Sequence, residues 1–379
     1  MGRKKKKNVV IKKNIRIFAD SFYKEYIIMY VRQRPCTWAR REHWQEVTNS
    51  PIFSTMKKIL VTGGAGFIGS NLCEALLERG YSVVCLDNFA TGHIENVLGF
   101  GERYGERWKL KVGDVRRLKD CREAMEGVEA VFHEAALGSV PRSIVDPVAT
   151  STTNIEGFLN VLVTAREAGV KRVVFAASSS TYGDSTELPK REEKIGKPLS
   201  PYALTKLVDE LYADVFVRCY GDIEYIGLRY FNVFGRRQDP HGAYAAVIPI
   251  WVKALMEHRS PLVNGDGSIS RDFTPVANVV DVNLLALETT KAEAVNQVYN
   301  VACGERTTLK ELLEGLKGEL SEYDPEIAKV KETYGPPRKG DIPHSLASID
   351  KARTLLGYDP RLNVKEGLRE ACRWYWENL

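Results

Sequence analysis

A strand, a glycine-rich turn, a helix and a second strand follow one another between Lys57 and Asp87, and this stretch constrains the fold most. The apolar run at residues 59–61 predicts a buried parallel strand, and apolar residues then recur at helical spacing up to residue 77. A second apolar run, residues 83–86, ends in Asp87. This order of elements is typical of the first unit of a doubly wound α/β sheet.

The glycines of the turn indicate a phosphate-binding loop. Gly63, Gly64, Gly66 and Gly69 fit both GxGxxG and GxxGxxG. Because a pyrophosphate must approach the N–H groups at the helix N-terminus, side chains in the turn would hold it away. Asp87, 21 residues after Gly66, has the spacing of an acid that accepts from ribose hydroxyls and repels a 2′-phosphate. The pattern predicts NAD as cofactor; an ordinary tight turn is the alternative.

Composition and cysteine usage limit the class of protein. The 379 residues are 44% hydrophobic and 27% charged, as in a globular protein of two domains or one large one. Seven scattered cysteines without CxxC or Cys/His spacing indicate buried thiols in a reducing compartment, and no metal site is expected. Since no apolar run approaches the roughly 20 residues of a membrane span, we expect a cytoplasmic protein.

The first 55 residues differ in charge from the rest. They hold 13 Lys and Arg against 4 Asp and Glu, a net charge of +9, whereas the whole chain carries +5. A nucleic-acid or anionic-membrane arm is one interpretation. We favour a non-conserved or disordered extension, because Met56 stands like a natural start just before the first strand, and we expect no nucleic-acid partner.

Further strands alternate with helices along the chain. Apolar runs at 110–112, 130–132, 173–177 and 226–230 predict strands, and 117–125 and 154–168 predict helices. This alternation predicts a doubly wound parallel sheet with ligands at the carboxyl ends of its strands. Asp114, after the third strand, could accept from an adenine amino group. Ala135 and Ala136, after the fourth, are small enough for backbone to approach a cofactor.

A serine cluster and a Tyr/Lys pair suggest acid–base chemistry. Residues 178–183 read SSSTYG, and Tyr202 and Lys206 are four apart on a predicted helix, so they share one face. An ammonium near a phenol stabilises the phenolate, which lets a tyrosine act as a base near neutral pH. Taken alone, the spacing is equally typical of a packed tyrosine and a solvated lysine.

The C-terminal part predicts a smaller lobe. Helices are expected at 247–258, 308–316 and 365–376, and a strand at 298–301. Arg271 and Arg338 are candidate anion ligands, because a guanidinium matches phosphate in a bidentate way. Both could instead be ordinary surface arginines.

The motifs TGGAGFIGSNL (62–72), HEAA (133–136), SSSTYGD (178–184), PYALTK (201–206), LRYFNVFGRR (228–237) and RDF (271–273) resemble the extended short-chain dehydrogenase/reductase family. Within it the chain resembles the UDP-hexose 4-epimerases, and GSVPRS (138–143) is closest to those acting on UDP-N-acetylglucosamine. The resemblance spans about 57–379. It implies a Rossmann-type fold with an NAD-binding domain at 56–231 and a mainly UDP-sugar-binding lobe at 232–379. A stretch around 278–303 is expected to return to the first domain, and the family implies a homodimer.

The resemblance also implies residue roles. The catalytic residues are expected to be Ser178, Tyr202 and Lys206. Cofactor contacts fall on Gly63, Gly66, Phe67, Ile68, Gly69, Asp87, Asn88, Asp114, Val115, Ala135, Ala136, Asn154, Tyr202, Lys206 and Phe231. Substrate contacts fall on Ser139, Ser178, Ser179, Tyr202, Asn232, Val247, Asn264, Arg271, Arg338, Asp341 and Ser345.

Two further comparisons within the family narrow the expected activity. Family dehydratases carry an Asp-Glu pair where Ser179 and Ser180 stand, and UDP-glucuronate decarboxylases carry a Glu at the Ser180 position. Epimerases restricted to UDP-glucose have a Tyr where Ser345 stands, so Ser345 predicts room for an N-acetyl group, unless it is a plain loop residue. The expected activity is 4-epimerisation of UDP-N-acetylhexosamines; UDP-glucose or UDP-uronic acid epimerisation, and a non-catalytic NAD sensor, are the alternatives.

Overall fold

A seven-stranded parallel sheet is the centre of the structure, a computed structural model that describes residues 58–241, 245–336 and 344–379. The strands of the molecule are β1 (Lys58–Thr62), β2 (Ser82–Asp87), β3 (Trp108–Val112), β4 (Ala130–His133), β5 (Arg172–Ser178), β6 (Glu224–Tyr230), β7 (Val233–Phe234), β8 (Leu262–Asn264), β9 (Ser270–Arg271), β10 (Thr274–Pro275), β11 (Gln297–Val301), β12 (Thr307–Thr308) and β13 (Thr333–Gly335). The apolar runs predicted as strands all lie within strands of the central sheet.

The strand order of the sheet, β3–β2–β1–β4–β5–β6–β11, creates its binding crevice. Ile59 of β1 is paired with Val83 of β2 on one side and with Ala130 of β4 on the other. The chain therefore winds outward in both directions from this central pair. Because the segments that leave β1 and β4 diverge, they open a crevice beyond the carboxyl ends of the strands. The predicted doubly wound Rossmann-type fold is confirmed.

Helices cover both faces of the sheet and build the second lobe. They are α1 (Phe67–Glu78), α2 (Phe100–Tyr104), α3 (Leu118–Ala124), α4 (Val140–Val145), α5 (Pro147–Ser151), α6 (Gly157–Glu167), α7 (Pro201–Tyr220), α8 (Val247–Met256), α9 (Val276–Glu288), α10 (Leu309–Ser321), α11 (Asp350–Leu356) and α12 (Val364–Asn378). A π-helical turn, Thr152–Glu156, joins α5 to α6.

Two apolar cores, one on each face, hold the helices to the sheet. On one face Leu72 and Leu76 of α1 and Val279 of α9 belong to the same buried cluster. On the other face Phe158 and Leu162 of α6 pack in a second cluster. Since both faces are covered, the inner strands β1, β2, β4 and β5 are almost continuously buried and mostly apolar, as parallel strands usually are.

The smaller lobe has a third core of its own. Trp251 of α8, Leu312 and Leu316 of α10 and Tyr375 of α12 are buried together in it. The lobe is joined to the sheet through α9 and through β11, which pairs with β6. Its short strands β7 and β10 pair directly after β6 ends. The lobe therefore lies at the carboxyl end of β6, beside the crevice.

Helix α7 illustrates how local sequence fixes the elements of the site. Ser200 caps its N-terminus by accepting from the Ala203 N–H at 3.1 Å, and Pro201 occupies the first turn. Gly221, with φ of 70°, ends the helix in a left-handed conformation that glycine adopts without strain. The Tyr202 side chain therefore leaves from the first turn of a capped helix, where its direction is well defined.

Five helices of the described chain were not predicted: α2, α4, α5, α9 and α11. Helices α2, α4 and α5 are only one to two turns long, although Ser139 and Asp146 cap α4 and α5, accepting from the backbone N–H three residues on. Helix α9 is buried nearly all round, so its apolar residues show no clear one-sided period. The predicted helix at 154–168 is a π turn followed by α6. Predictions for residues 1–55 fall outside the described residues.

Candidate active site

A cleft of about 610 Å³ lies over the carboxyl ends of β1, β2, β4, β5 and β6. It brings together predicted cofactor-binding residues and predicted substrate-binding residues. The predicted residues that line it are Gly63, Gly66, Phe67, Ile68, Gly69, Asp87, Asn88, Val115, Ala135, Ala136, Ser139, Ser178, Ser179, Tyr202, Lys206 and Asn232.

The glycine turn forms one wall of the cleft. Gly63 has φ of +68°, and a Cβ atom there would lie 2.7 Å from the backbone N of Ala135. At Gly69 a Cβ would lie 2.2 Å from the Gly63 carbonyl oxygen. The turn, β4 and the start of α1 therefore approach each other at backbone distance, which leaves the helix N-terminus open to the cleft. This cradle fits a dinucleotide pyrophosphate.

Two acids lie at the ends of neighbouring strands. The Asp87 carboxylate accepts from the N–H groups of Ala65 at 2.9 Å and Phe89 at 2.8 Å. Burial raises the pKa of Asp87, although these hydrogen bonds favour its charged form. Burial acts in the same direction on Asp114, but hydrogen bonds from Arg116 and Asn88 bring its pKa to about 2. Asp114 is therefore paired with a neighbouring arginine, whereas Asp87 braces the glycine turn and lines the cleft.

Tyr202 and Lys206 lie together at the base of the cleft. Lys206 is 2% exposed, and its ammonium donates to the Ala176 carbonyl at 2.8 Å and to Asp209 Oδ2 at 3.2 Å. Burial would lower the pKa of Lys206, but the charges of Asp209 and Tyr202 hold it above its ordinary value. An ammonium has three N–H donors, so these contacts within the described residues leave one for a ligand.

Ser178 ends β5 beside this pair. Its Oγ accepts from the Ser180 N–H at 3.1 Å and from the Ser180 hydroxyl at 2.9 Å. Because both contacts use Ser178 as an acceptor, its own proton remains for donation to an oxygen in the cleft. Ser178 can therefore act as a hydrogen-bond donor near Tyr202.

Several predicted residues support the cleft from behind or lie beyond it. Asn154 is buried; its amide accepts from the Leu137 N–H at 2.8 Å and donates to Thr205 Oγ1 at 3.0 Å, which fixes α7 beside the β4 loop. Phe231 is fully buried against Tyr182. Neither residue is among those that line the cleft, and their roles at the cofactor stay predictions.

The predicted substrate residues are divided between the cleft and the smaller lobe. Asn232, with φ of 36°, lines the cleft, and its amide donates to the Asp272 carbonyl at 3.0 Å. Ser345 donates its backbone N–H to the Ser270 carbonyl at 3.1 Å, next to Arg271. Val247 begins α8 and Asn264 ends β8, both half-buried outside the cleft lining. Arg338 and Asp341 lie outside the described residues.

Some cleft residues were missed by the sequence prediction. Glu134 lines the cleft and accepts from the Tyr230 hydroxyl at 2.9 Å; burial raises its pKa to about 7. It comes directly after β4, and Asp87 is the last residue of β2, so an acid at a strand end was the available signal. Gln238 and Asp239 line the opposite side, and Asp239 is 3.3 Å from His93 Nε2. They come directly after the quoted motif LRYFNVFGRR (228–237), which ends in two arginines.

Neither a metal-ligand cluster nor a membrane-spanning helix occurs among the described residues. In residues 58–241, 245–336 and 344–379 no group of three His, Cys, Asp or Glu side chains could hold a metal ion. No helix of this described part is long and apolar enough to cross a membrane.

Comparison with known proteins agrees with the cleft. Residues 59–302 match the model of the NAD dependent epimerase/dehydratase family. The UDP-glucose 4-epimerase of Mycolicibacterium smegmatis is 34% identical over 320 residues, which cover 84% of this chain and 98% of that protein. A UDP-N-acetylglucosamine 4-epimerase from Methanobrevibacter ruminantium, solved with UDP-N-acetylmuramic acid, is 36% identical with a TM-score of 0.78, covering 86% of this chain and 99% of that one. The Thermus thermophilus UDP-glucose 4-epimerase, solved with NAD, is 33% identical with a TM-score of 0.74, covering 85% and 100%.

The chain therefore belongs to the NAD-dependent epimerase/dehydratase family, within the extended short-chain dehydrogenases/reductases. It is an isomerase, an NAD-dependent UDP-sugar 4-epimerase. The predicted family, cofactor and enzyme class are confirmed.

Proposed function

We propose that this enzyme interconverts UDP-N-acetylglucosamine and UDP-N-acetylgalactosamine. The observation that carries the proposal is Ser345, a small residue where epimerases restricted to UDP-glucose have a tyrosine. Ser345 is held against Ser270, adjacent to the anion-ligand candidate Arg271. The similarity to the Methanobrevibacter ruminantium UDP-N-acetylglucosamine 4-epimerase gives further support.

In the proposed reaction the protein supplies a base, a hydrogen-bond donor and a fixed charge. The Tyr202 phenolate takes the proton of the sugar C4 hydroxyl, while Ser178 donates to the same oxygen. Lys206, charged and buried beside Tyr202, favours the phenolate. NAD, held by the glycine turn and Asp87, would supply the hydride acceptor and donor for C4. Tyr202 returns the proton to the C4 oxygen once the 4-keto sugar has turned its opposite face to the cofactor position, which inverts C4.

We assign the cofactor and the sugar nucleotide to different parts of the cleft. The glycine turn, Asp87 and the β4 end would hold NAD, with the free N–H of Lys206 directed to its ribose. Asn232, Arg271 and the lobe at 232–379 would hold the UDP-sugar, together with Arg338 and Asp341. Close backbone packing at Gly63 and the remaining donor on Lys206 support the NAD assignment.

Substrate choice is tested by incubating the purified full-length enzyme with UDP-glucose, UDP-N-acetylglucosamine, UDP-glucuronic acid and UDP-galactose, followed by separation of the products. We expect the highest kcat/KM for the N-acetylated substrate. UDP-glucose is the second candidate, because the Mycolicibacterium smegmatis relative carries that name. Turnover of UDP-glucose alone would exclude the N-acetyl proposal and leave the epimerase class intact.

We also propose a homodimer through α4, α5 and α7. These helices pack side by side and expose large apolar side chains, with Val145 76% and Val148 74% exposed. Leu204, Leu211 and Val215 of α7 are spaced by seven and four residues, so they share one helix face. A contiguous apolar surface of this kind is typical of a protein interface. Sedimentation of wild type and of Leu211→Lys should give a dimer and a monomer; a wild-type monomer would exclude this assembly.

A cytoplasmic location remains part of the proposal. The six cysteines among the described residues are free thiols, as is usual in a reducing compartment. Fractionation of the source cells with an antibody to the enzyme would test it.

A further inference from the structure

A buried acid lies behind the catalytic lysine. Asp209 is 0% exposed, and its Oδ2 is 3.2 Å from the Lys206 ammonium, three residues earlier on α7. Its other oxygen, Oδ1, is buried with no hydrogen-bond partner among the described residues. A carboxylate in such a place is costly unless an opposite charge accompanies it. Its one hydrogen-bond partner among the described residues is Lys206, whose charge stabilises the phenolate of the proposed base, Tyr202.

Other charged and titratable groups around Lys206 are already engaged or lie on its cleft side. On α7 itself, Glu210 forms a two-point ion pair with Arg229 of β6, at 2.8 and 2.7 Å. On the β4 side, His133 is bonded to Thr62 Oγ1 at 2.9 Å and Glu134 to the Tyr230 hydroxyl. From β5 the contact is the Ala176 carbonyl. Asp209 is therefore the acid in direct contact with the ammonium within the described chain.

We propose that Asp209 is a positioning residue for Lys206, and that its negative charge sets how strongly Lys206 stabilises the Tyr202 phenolate. The Asp209 carboxylate and the Ala176 carbonyl accept hydrogen bonds from two of the three N–H groups of the Lys206 ammonium. These two bonds fix the direction of the third N–H group. The same charge offsets part of the ammonium field, because it is close enough to Lys206 to act on Tyr202 as well. The inference rests on the proposed role of Tyr202 as the base.

The electrostatic setting supports this assignment. Burial raises the pKa of Asp209, even though the Lys206 charge favours the carboxylate. Burial would lower the pKa of Lys206, but the charges of Asp209 and Tyr202 hold it above the ordinary lysine value. The buried ammonium therefore stays charged in direct contact with the Asp209 carboxyl group.

The test is the pH profile of kcat for the NAD-loaded enzyme, whose acid limb reports ionisation of the base. Asp209→Asn keeps an acceptor for Lys206 and removes the charge. With the negative charge gone, the phenolate is favoured, so the acid limb should move to lower pH by about 0.5–1 unit, with the plateau changed less than about threefold. Asp209→Ala removes the acceptor as well. It should show the same shift, a plateau about tenfold lower and a smaller fraction of NAD retained through gel filtration.

A matched control comes from the same helix. Asp214 is exposed and paired with Arg218, so Asp214→Asn removes a charge of the same sign without touching Lys206. Its pH profile should coincide with that of wild type. An unmoved acid limb in both Asp209 variants would overturn the inference, and so would failure of both variants to fold, since Asp209 would then serve the fold alone. An active Tyr202→Phe would instead refute the proposed base, whatever Asp209 does.

Discussion

The close approach of the glycine turn to β4 makes Gly63→Ala a quantitative test of the proposed cofactor cradle. Gly63 and Gly80 both have positive φ, +68° and +90°. They differ in surroundings: a Cβ at Gly63 would lie 2.7 Å from the backbone N and 2.8 Å from the Cα of Ala135, whereas a Cβ at Gly80 would meet nothing within 4 Å. The pair therefore separates backbone strain from steric overlap.

The two alanine variants should differ in stability and in cofactor binding. An alanine in the left-handed backbone conformation lowers the free energy of unfolding by about 1–2 kcal/mol, and this loss applies to both variants. Overlap with a backbone that cannot rotate away adds about 1–3 kcal/mol at Gly63. We therefore expect Gly80→Ala to lose about 1–2 kcal/mol of the free energy of unfolding, and Gly63→Ala about 2–5 kcal/mol.

Urea unfolding of the NAD-free proteins measures the stability difference, and the NAD content after gel filtration measures the effect on the cradle. Gly80→Ala should retain NAD as wild type does, because Gly80 lies at the far end of α1. Gly63→Ala should lose it, because relief of the overlap must move Ala135, which lines the cleft. Equal stability loss and equal NAD content in the two variants would refute this account of the turn.

Three further changes test other parts of the proposal. Tyr202→Phe should reduce kcat by at least about 10²–10⁴-fold and leave NAD and UDP-sugar bound; near wild-type kcat would remove Tyr202 from the mechanism. Ser345→Tyr should lower kcat/KM for UDP-N-acetylglucosamine strongly and spare UDP-glucose, since the ring would fill the acetamido space; an unchanged ratio argues against the gate. Removal of residues 1–55 should preserve the fold and the activity, because β1 begins after them; an inactive or insoluble product would assign this segment a structural role.

The parts of the fold that the sequence predicted well are those that local chemistry determines. Strands β1, β2, β4 and β5 are almost fully buried, so their apolar runs stand out, and a glycine, an acid or a serine ends or directly follows each of them. Since parallel strands bring all their carboxyl ends to one edge, predicting the strands also brought Asp87, Ala135 and Ser178 together. Helix α9 escaped prediction because its burial on nearly every side removes the amphipathic period.

Tertiary contacts determine what sequence spacing does not specify within the site. Asn154 and Phe231 are predicted cofactor residues, and their side chains are buried in packing that the sequence pattern does not describe. Glu134 lies in the HEAA motif (133–136), of which only the two alanines were predicted to be site residues. Its position between Tyr230 and Lys206 depends on strands that are far apart in the chain.

Asp209 and Glu210 show most clearly why partner identity requires the structure. As neighbours in the sequence they look like one solvated acidic pair on a helix surface. Successive residues on a helix are separated by about 100°, so the two carboxylates point in different directions from α7. Glu210 reaches Arg229 and ties the helix to β6, whereas Asp209 reaches Lys206, the partner of the proposed base. The same carboxylate chemistry thus serves stability at one position and, by our inference, the pH response of catalysis at the next, and the direction of each side chain decides between them.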